Sequence, residues 1–163
     1  MTRELFHKLW DGFEYDPDLF MDTALFDKVR NYRYDAENTD AHFNKRVSQS
    51  NTITFAIMLD GNVIGELVLK HFDSESKHCE LGIQMKNDHF KNKGFGTEAE
   101  RLALIFAFDK LGMETVLADC IAKNERSQHV LKKLGFKQID EREGFRYFSI
   151  NRGDFYAIEN NRI

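Results

Sequence analysis

Two strand-like stretches separated by a helical segment constrain the fold of this chain most strongly. Apolar and polar residues alternate over Cys79–Met85, and Val116–Ile121 is mostly apolar, so both stretches are predicted to be strands. Between them, Thr97–Leu111 consists almost entirely of helix-forming residues. Because a helical crossover returns the chain to the same end of a sheet, the two strands are expected to run parallel.

The segment before this unit predicts antiparallel strands. Apolar residues alternate from Thr52, and Asp60-Gly-Asn62 supplies a turn before a second arm at Val63–Phe72. A polar run then leads into the strand at Cys79, so a three-stranded antiparallel meander is predicted. Two helices are predicted before the meander, over 17–28 and Asp35–Val47. After the parallel pair, a short helix is predicted over Glu125–Leu134, and two strands are predicted over Lys137–Ile150 with a turn at Glu143-Gly144.

These elements give the order ααβββαβαββ. The predicted fold class is α/β, in the sense of an α+β mixed sheet with an antiparallel meander joined to a parallel pair. The length of 163 residues is that of one domain, so residues 1–163 are predicted to form a single domain. A net charge of -4 argues against a nucleic-acid partner, because neutralising many phosphates requires a clustered basic surface. A neutral or cationic substrate is expected instead.

Composition also bounds the location and the cofactors. No run approaches the roughly 18 consecutive apolar residues of a membrane span, and no apolar signal core follows the first residues. We therefore expect a cytoplasmic protein without a membrane partner. Cys79 and Cys120 lie in apolar runs without CxxC spacing, which predicts buried thiols in a reducing compartment. His71 and His78 lie near Cys79, but no further ligand follows at a usual spacing, so no metal is expected.

A glycine-rich segment, Lys91–Thr97, lies between the predicted strand and the long helix. Glycines lack Cβ atoms, so consecutive N–H groups can turn toward an anion, and the positive end of the helix dipole adds to the attraction. The segment is therefore a candidate cradle for a phosphate or pyrophosphate. The alternative is a loop that only turns the chain into the helix.

Two other phosphate-binding patterns fit this segment less well. A mononucleotide P-loop requires Lys followed by Ser or Thr after its last glycine, and neither pair follows Gly96. A dinucleotide-binding turn matches Gly94-x-Gly96-x-x-Ala99, with Asp119 twenty residues further on. However, eight residues separate Met85 from Gly94, and only 67 residues follow Gly96, too few for the rest of a doubly wound sheet.

Two spaced motifs carry the strongest functional signal. One is Lys91-Asn-Lys-Gly94-Phe-Gly96, and the other is Asn124-Glu-Arg-Ser127 with Lys133-Leu-Gly-Phe136. In this order, with a helix and a strand between them, they resemble the GNAT N-acetyltransferases. That family has Gln/Arg-x-x-Gly-x-Gly/Ala and then Asn-x-x-Ser before a helix ending in Lys-x-Gly-Phe, so Lys91 departs from it in type. The resemblance covers roughly 55–150, and Glu80-Leu-Gly-Ile looks most like the branch of ribosomal-protein alanine and spermidine N-acetyltransferases.

The resemblance implies acetyl-CoA as the cosubstrate and a set of residues that bind it. In the family, two parallel strands separate and expose N–H groups to the acetyl carbonyl and the pantetheine. The loop that follows holds the pyrophosphate, and the motif Asn binds the pantetheine arm. The corresponding residues here are Ile83, Gln84 and Met85 on the strand, Lys91, Asn92, Lys93, Gly94, Phe95, Gly96 and Thr97 in the loop, and Asn124 and Ser127 before the second helix.

The resemblance also suggests catalytic residues. Glu80 is the preferred general base, directly or through water, because alternation places it opposite the apolar residues of its strand and the similar branch has Glu there. The alternative role is to orient substrate or to pair with a neighbouring strand. Glu66 is assigned a structural role. Many family members carry a Tyr general acid seven residues after the motif Asn, but Leu131 stands here, so Ser127 is the candidate acid, with Tyr147 or water as alternatives.

The implied reaction is acetyl transfer to a primary amine by direct attack in a ternary complex. The amine stays open among a protein N-terminus, a polyamine, an amino acid and an antibiotic amine. Family members usually begin with a strand containing Leu-Arg-x-Leu, which Glu4–Leu9 matches only in degenerate form, so the acceptor side is the least defined. The family suggests a homodimer. Lys91 and Leu131 keep one alternative open, a CoA-binding regulatory module without turnover.

Overall fold

Six strands form one mixed sheet in the order β1-β2-β3-β4-β6-β5. The structure, a computed structural model, describes residues 1–16, 19 and 30–161. Only β3 and β4 are parallel, and the other neighbouring pairs are antiparallel. The predicted meander, parallel pair and final hairpin are thus confirmed. The strands are β1 (Thr52–Leu59), β2 (Asn62–Asp73), β3 (His78–Met85), β4 (Thr115–Ile121), β5 (Lys137–Arg142) and β6 (Phe145–Asn151).

Five α-helices occur among the described residues, and three of them match the predicted positions. They are α1 (Arg3–Trp10), α2 (Ala36–Val47), α3 (Phe95–Asp109), α4 (Glu125–Leu134) and α5 (Arg152–Asn160). The matching helices are α2, α3 and α4, although α3 begins and ends two residues earlier than predicted. The helix predicted over 17–28 lies outside the described residues. None of the described helices has the length and apolar character needed to cross a bilayer.

Helices α1 and α5 differ from the sequence expectation. A helix stands where Glu4–Leu9 suggested a degenerate strand, because Thr2 Oγ1 accepts a hydrogen bond from the Leu5 N–H at 3.3 Å and so caps it. Its buried residues recur at helical spacing: Phe6, Leu9 and Trp10. Helix α5 begins after Asn151, whose Oδ1 accepts from the Asp154 N–H at 2.8 Å. Each is a short helix defined by its cap.

The helices divide the molecule into two differently packed faces. We call the side covered by α3, α4 and α5 the α3 face; it holds the large core, which includes Leu104, Phe108, Leu131 and Phe155. The opposite side, the α2 face, is covered over the meander by α1 and α2, with a smaller cluster around Phe6, Trp10 and Val63. As predicted, the two cysteines are buried and free, and both pack in the large core.

Candidate active site

The parallel pair β3–β4 separates halfway along its length. Pairing joins His78–Leu81 of β3 to Thr115–Ala118 of β4, yet β3 continues to Met85 and β4 to Ile121. On its other side, β3 stays paired with β2 as far as Met85. No strand of the described chain occupies the place between the two diverging ends. Main-chain N–H and C=O groups along this gap can therefore bind a ligand.

Strand alternation decides which groups face the gap. The N–H of Lys86, directly after β3, donates to the Ile64 carbonyl of β2 at 2.8 Å. Successive residues of a strand turn their main-chain groups to opposite sides, so the Gln84 N–H also points toward β2. By the same alternation, Ile83 and Met85 turn their N–H groups toward the gap. Gln84 instead places its side chain on the α2 face.

The glycine segment forms a turn that leads into α3 beside this gap. Asn92 and Gly94 have φ angles of 59° and 86°, in the left-handed region that favours glycine. Gly94 precedes α3 and supplies no side-chain cap, so the first N–H groups of the helix are not capped by a side chain. A Cβ on Gly96 would lie 3.6 Å from Ile83 Cδ1 and 3.9 Å from Met85 Sδ. The segment thus places helix N–H donors next to the unpaired half of β3.

One cluster of ion pairs brings the two sequence motifs together. Asp88 lies in a short 3-10 turn before the glycine segment, and its Oδ1 is 2.6 Å from Lys91 Nζ and 3.5 Å from Arg126 Nη1. Lys91, and to a smaller extent Arg126, holds the pKa of Asp88 below its usual range. Arg126 belongs to the first turn of α4. The motifs are distant in sequence but adjacent in the structure.

Asn124 and Ser127 build the start of α4. Asn124 Oδ1 accepts a hydrogen bond from the Ser127 N–H at 3.1 Å and so caps the helix. Burial raises the pKa of the nearby Cys120 thiol, and a side-chain hydrogen bond from Ser127 opposes this rise. Leu131, where a Tyr acid was sought, is 2% exposed and part of the large core. That position offers no acidic hydroxyl, whereas Ser127 is half-buried at the helix start.

Glu80 lies on the α2 face close to where β3 and β4 separate. Its Oε2 is 2.8 Å from His71 Nδ1 and 3.4 Å from Lys70 Nζ, and its side chain is 31% exposed. His71 occupies an irregularity in the β2–β3 pairing and has a φ of 53°, which is uncommon for a residue other than glycine. A cavity of about 290 Å³ beside Glu80 also contacts Asp119 and Tyr147. Glu80 is therefore both ion-paired and accessible.

Glu66 is a buried carboxylate to which the sequence assigned only a structural role. It lies opposite Gln84 in the β2–β3 register and is 2% exposed. Its Oε1 accepts a hydrogen bond from Gln84 Nε2 at 3.0 Å and lies 3.5 Å from Arg46 Nη2. Burial raises the pKa of the Glu66 carboxyl, while Arg46 and Gln84 oppose the rise. A lone charged residue within the apolar run 63–69 is the signal that marks it.

Glu66 and Arg46 line a polar cavity of about 380 Å³ on the α2 face. The cavity also contacts Lys70 and His71, and it reaches the unpaired half of β3 at 82–84. A larger groove of about 420 Å³ lies between β1 and α3, but its lining is apolar apart from Glu98. Acid–base chemistry is thus concentrated on the α2 face, beside the gap.

Comparisons with known proteins agree on one family. The model of the acetyltransferase (GNAT) domain matches residues 6–137. The N-acetyltransferase YnaD of Bacillus subtilis (strain 168) is 28% identical over 167 residues, covering 97% of this chain and 92% of that protein. The ribosomal N-acetyltransferase YdaF of the same strain is 27% identical (56% of this chain, 50% of that protein). Spermidine N(1)-acetyltransferase of Escherichia coli (strain K12) is 26% identical (58% and 50%), so the match spans about half of these last two proteins.

Solved structures share the fold. The Campylobacter jejuni N-acetyltransferase PseH in complex with acetyl coenzyme A has a TM-score of 0.64 and 24% identity, covering 79% of this chain and 89% of that chain. A variant of spermidine N-acetyltransferase SpeG from Vibrio cholerae has a TM-score of 0.72 and 16% identity, covering 98% and 96%. At these identities the likeness concerns the fold.

Proposed function

The chain belongs to the GNAT acetyltransferase family and is an N-acetyltransferase that uses acetyl-CoA, and we propose that it acetylates a primary amine by direct attack in a ternary complex. The observation that carries this proposal is the gap between β3 and β4. The glycine segment adjoins the gap from the α3 side, and polar cavities adjoin it on the α2 face. The two substrates would therefore meet at the unpaired half of β3.

The described residues suit acetyl-CoA at three points. The uncapped N–H groups at the start of α3, preceded by Gly94, suit a pyrophosphate. The gap-facing N–H groups of Ile83 and Met85 would receive the pantetheine arm and the acetyl carbonyl. Donors aimed at developing negative charge in acyl transfer are typically worth about 3 to 4 kcal/mol each. Asn124 and Ser127 would border the same site from α4.

Glu80 would accept the proton that the acceptor ammonium must lose, directly or through water. Its contacts with His71 and Lys70 are both made by Oε2, and the side chain keeps 31% exposure. The carboxylate is thus oriented without being sealed from a substrate. General-base assistance of this kind typically contributes a factor of about 10² to 10⁴ in rate.

The proton balance requires one acceptor and one donor. The amine nitrogen, once neutral, bonds to the acetyl carbon as the bond from that carbon to sulfur breaks, and the sulfur leaves as a thiolate. Glu80 takes the ammonium proton and passes it to solvent, and it then takes the second proton, which the nitrogen loses as the amide forms. The thiolate takes a proton from Ser127, which solvent reprotonates. Ser127 is the preferred donor because Leu131 lies in the core; Tyr147 shares a cavity with Glu80 and is the alternative.

The acceptor would be a small amine, as the names of the spermidine-acetylating relatives suggest. A panel of peptides with free N-termini, a polyamine, amino acids and an aminoglycoside tests the proposal. Mass spectrometry should find an acetylated amine in at least one case, with an equal amount of free CoA thiol. Acetyl-CoA binding without any acetylated amine would contradict the proposed activity.

A CoA-binding module without turnover is the second candidate. The burial of Leu131 favours it, since an aliphatic side chain stands where a catalytic Tyr is expected, and the ion pairs of Glu80 would equally suit a structural role. This candidate requires acetyl-CoA to bind while the whole panel stays unmodified. It also requires Glu80→Gln to leave the behaviour of the protein unchanged, so kinetics and calorimetry on that variant separate the two.

A further inference from the structure

Two side chains of opposite charge line one cavity, and each has a buried atom without a partner. Nη1 of Arg46 and Oε2 of Glu66 are both buried, and neither has a hydrogen-bond partner among the described residues. The two side chains meet only through Nη2 and Oε1, at 3.5 Å. A guanidinium and a carboxylate otherwise tend to form two parallel, shorter bonds. The ion pair therefore has one contact instead of two. Arg46 Nη1 is left as an unpaired donor and Glu66 Oε2 as an unpaired acceptor.

The charges around the cavity favour a ligand of mixed sign. Leaving a buried polar group without a hydrogen-bond partner destabilises the folded state, and more so when the group is charged. Arg46 and Lys70 line the cavity with positive charge, and Glu66 is its carboxylate. A ligand with only positive charges would approach a guanidinium that already lacks a full counter-ion. A ligand with one ammonium and one carboxylate satisfies both leftover atoms.

The cavity opens onto the unpaired half of β3. Gln84, in this half of the strand, donates to Glu66 Oε1 at 3.0 Å, and Gly82 contributes to the cavity wall. The phosphates of the coenzyme do not supply an anion to Arg46, because the glycine segment lies against the side chains of Ile83 and Met85 on the α3 face. An anion bound at Arg46 would therefore come from the acceptor and not from the pyrophosphate.

We propose that the acceptor is an amine that carries a carboxylate, as an amino acid does, with the carboxylate at Arg46 Nη1 and the ammonium at Glu66 Oε2. This inference rests on the proposed function and narrows its acceptor class. Arg46 and Glu66 position the acceptor, and Glu80 remains the proton acceptor. The net charge of -4 favoured a cationic acceptor, but the charge of the whole surface does not describe the one cavity that meets the substrate.

Amino acids and the amines formed by loss of their carboxylate provide matched probes. Alanine is compared with ethylamine, lysine with cadaverine, and arginine with agmatine, each as acceptor for acetyl-CoA. In at least one pair, kcat/KM should be about tenfold or more higher for the amino acid, because a site built to bind a charged group discriminates strongly against the analogue that lacks it. Acetylation is followed by thiol release and mass spectrometry.

Three variants locate the source of this preference. Arg46→Gln should bring the ratio within a pair to about one by lowering kcat/KM for the amino acid alone. Lys45→Gln removes the same charge from an exposed neighbour on α2, outside the cavity, and should keep the preference. Arg46→Gln leaves a buried carboxylate without its cation and can destabilise the fold. The double variant Arg46→Gln with Glu66→Gln removes both charges and should fold while also losing the preference.

The outcomes separate this proposal from the proposed function. If some amine is acetylated but the decarboxylated member of every pair is as good or better, or if the preference survives Arg46→Gln, the carboxylate site is wrong and the acetyltransferase activity stands. If no amine is acetylated, the proposed activity fails, and calorimetry of the same pairs with CoA present decides the carboxylate site. Amino-acid binding that is lost in Arg46→Gln supports it, and equal binding within every pair overturns it.

Discussion

Among the described residues, each face of the sheet buries one carboxylate, and the two lie in opposite surroundings. On the α2 face, Glu66 contacts Arg46 and Gln84 and lines a polar cavity. Glu100, on helix α3, is equally buried at 2% exposure, and its Oε2 has no hydrogen-bond partner among the described residues. Burial alone raises the pKa of the Glu100 carboxyl to about 8. Glu66 contacts a charged side chain and lines a cavity. Glu100 is instead a neutral acid below that pH.

Burial is common to both carboxylates, so the difference between them comes from the side chains that each one contacts. It extends to the faces as a whole. On our proposal, the coenzyme side would rely on main-chain groups, namely the start of α3 without a side-chain cap and the gap-facing strand. The acceptor side would rely on side chains from α2, β2 and β3. Substitutions on the two faces should therefore fail in different ways, and the following four variants test that division.

The largest effect is expected for Glu80→Gln on the acceptor side. An amide cannot take the ammonium proton, so kcat should fall by about a hundredfold to ten-thousandfold, while the Kd for acetyl-CoA should not change. Steady-state kinetics and calorimetry measure the two quantities. Glu75→Gln, in the exposed turn between β2 and β3, is the matched control and should behave as the unaltered protein. Unchanged kcat in the Glu80 variant would reduce that residue to an ion-pair partner of His71 and Lys70.

On the coenzyme side, Gly96→Val should weaken acetyl-CoA binding by about tenfold to a hundredfold, or about 1.4 to 2.7 kcal/mol. The branched side chain would crowd the helix N–H groups and the unpaired strand. A Cβ alone meets Ile83 and Met85 at ordinary contact distances, so Gly96→Ala should bind more nearly normally and both variants should keep their Tm. Calorimetric affinity that stays the same in the Val variant would remove the glycine segment from the coenzyme site.

Glu100→Gln should change stability in a pH-dependent way. The folded pKa of about 8 exceeds the usual value of 4.5 for a glutamate carboxyl, so the folded state binds the proton more tightly than the unfolded state. This contribution to stability is complete below pH 4.5 and is lost as the pH rises through about 8. The variant should therefore exceed the unaltered protein by about 5 kcal/mol in unfolding free energy at high pH, and match it at low pH, since the pKa rises from 4.5 to about 8 and each pKa unit is worth about 1.4 kcal/mol.

Urea unfolding of the Glu100 variant at the two ends of this pH range measures the difference. Glu114→Gln, at an exposed carboxylate, serves as the control and should keep the pH dependence of the unaltered protein. If the unfolding free energy of the Glu100 variant depends on pH in that same way, the buried carboxyl is not the group that titrates. The contrast drawn between Glu66 and Glu100 would then be wrong.

The smallest effect is expected for Ser127→Ala. The cap of α4 should persist, because Asn124 accepts from the main-chain N–H of residue 127 and not from its hydroxyl. Water can replace the hydroxyl as proton donor, so kcat should fall by less than about tenfold, below the hundredfold typical of a dedicated acid. Kinetics at saturating acetyl-CoA provides the measurement. An unaltered kcat would assign the donor role to Tyr147 or to water.

Local signals in the sequence predicted most of the fold, and they also indicated the residues that we propose for the coenzyme side. Asp35, the first residue of a predicted helix, caps α2, and Gly135 ends α4 with a φ of 99°. The Glu80 alternation also places its apolar neighbours toward the large core. These features depend on residues a few positions apart, so they can be read without the tertiary structure.

The acceptor cavity could not be predicted in the same way. Arg46 lies 20 residues from Glu66, and Gln84 lies 18 residues from it on the other side. Their meeting depends on how α2 docks on the sheet, which no local pattern specifies. The end of the β3–β4 pairing after Leu81 is likewise unmarked, because the alternation of β3 continues without interruption to Met85. Both features depend on contacts between residues that are distant in sequence, which local patterns do not specify.

The gap between β3 and β4 also bears on solubility. Edge strands with free N–H and C=O groups tend to pair with strands of other chains, and proteins protect such edges with charges, bulges or covering loops. Here the free groups of Ile83 and Met85 lie inside the sheet, with β4 diverging across from them. A second protein's strand would have to enter between two strands that are joined at one end. A narrow ligand can enter this opening, whereas a strand of a folded neighbour cannot. The protein therefore leaves half of β3 unpaired with little risk of aggregation.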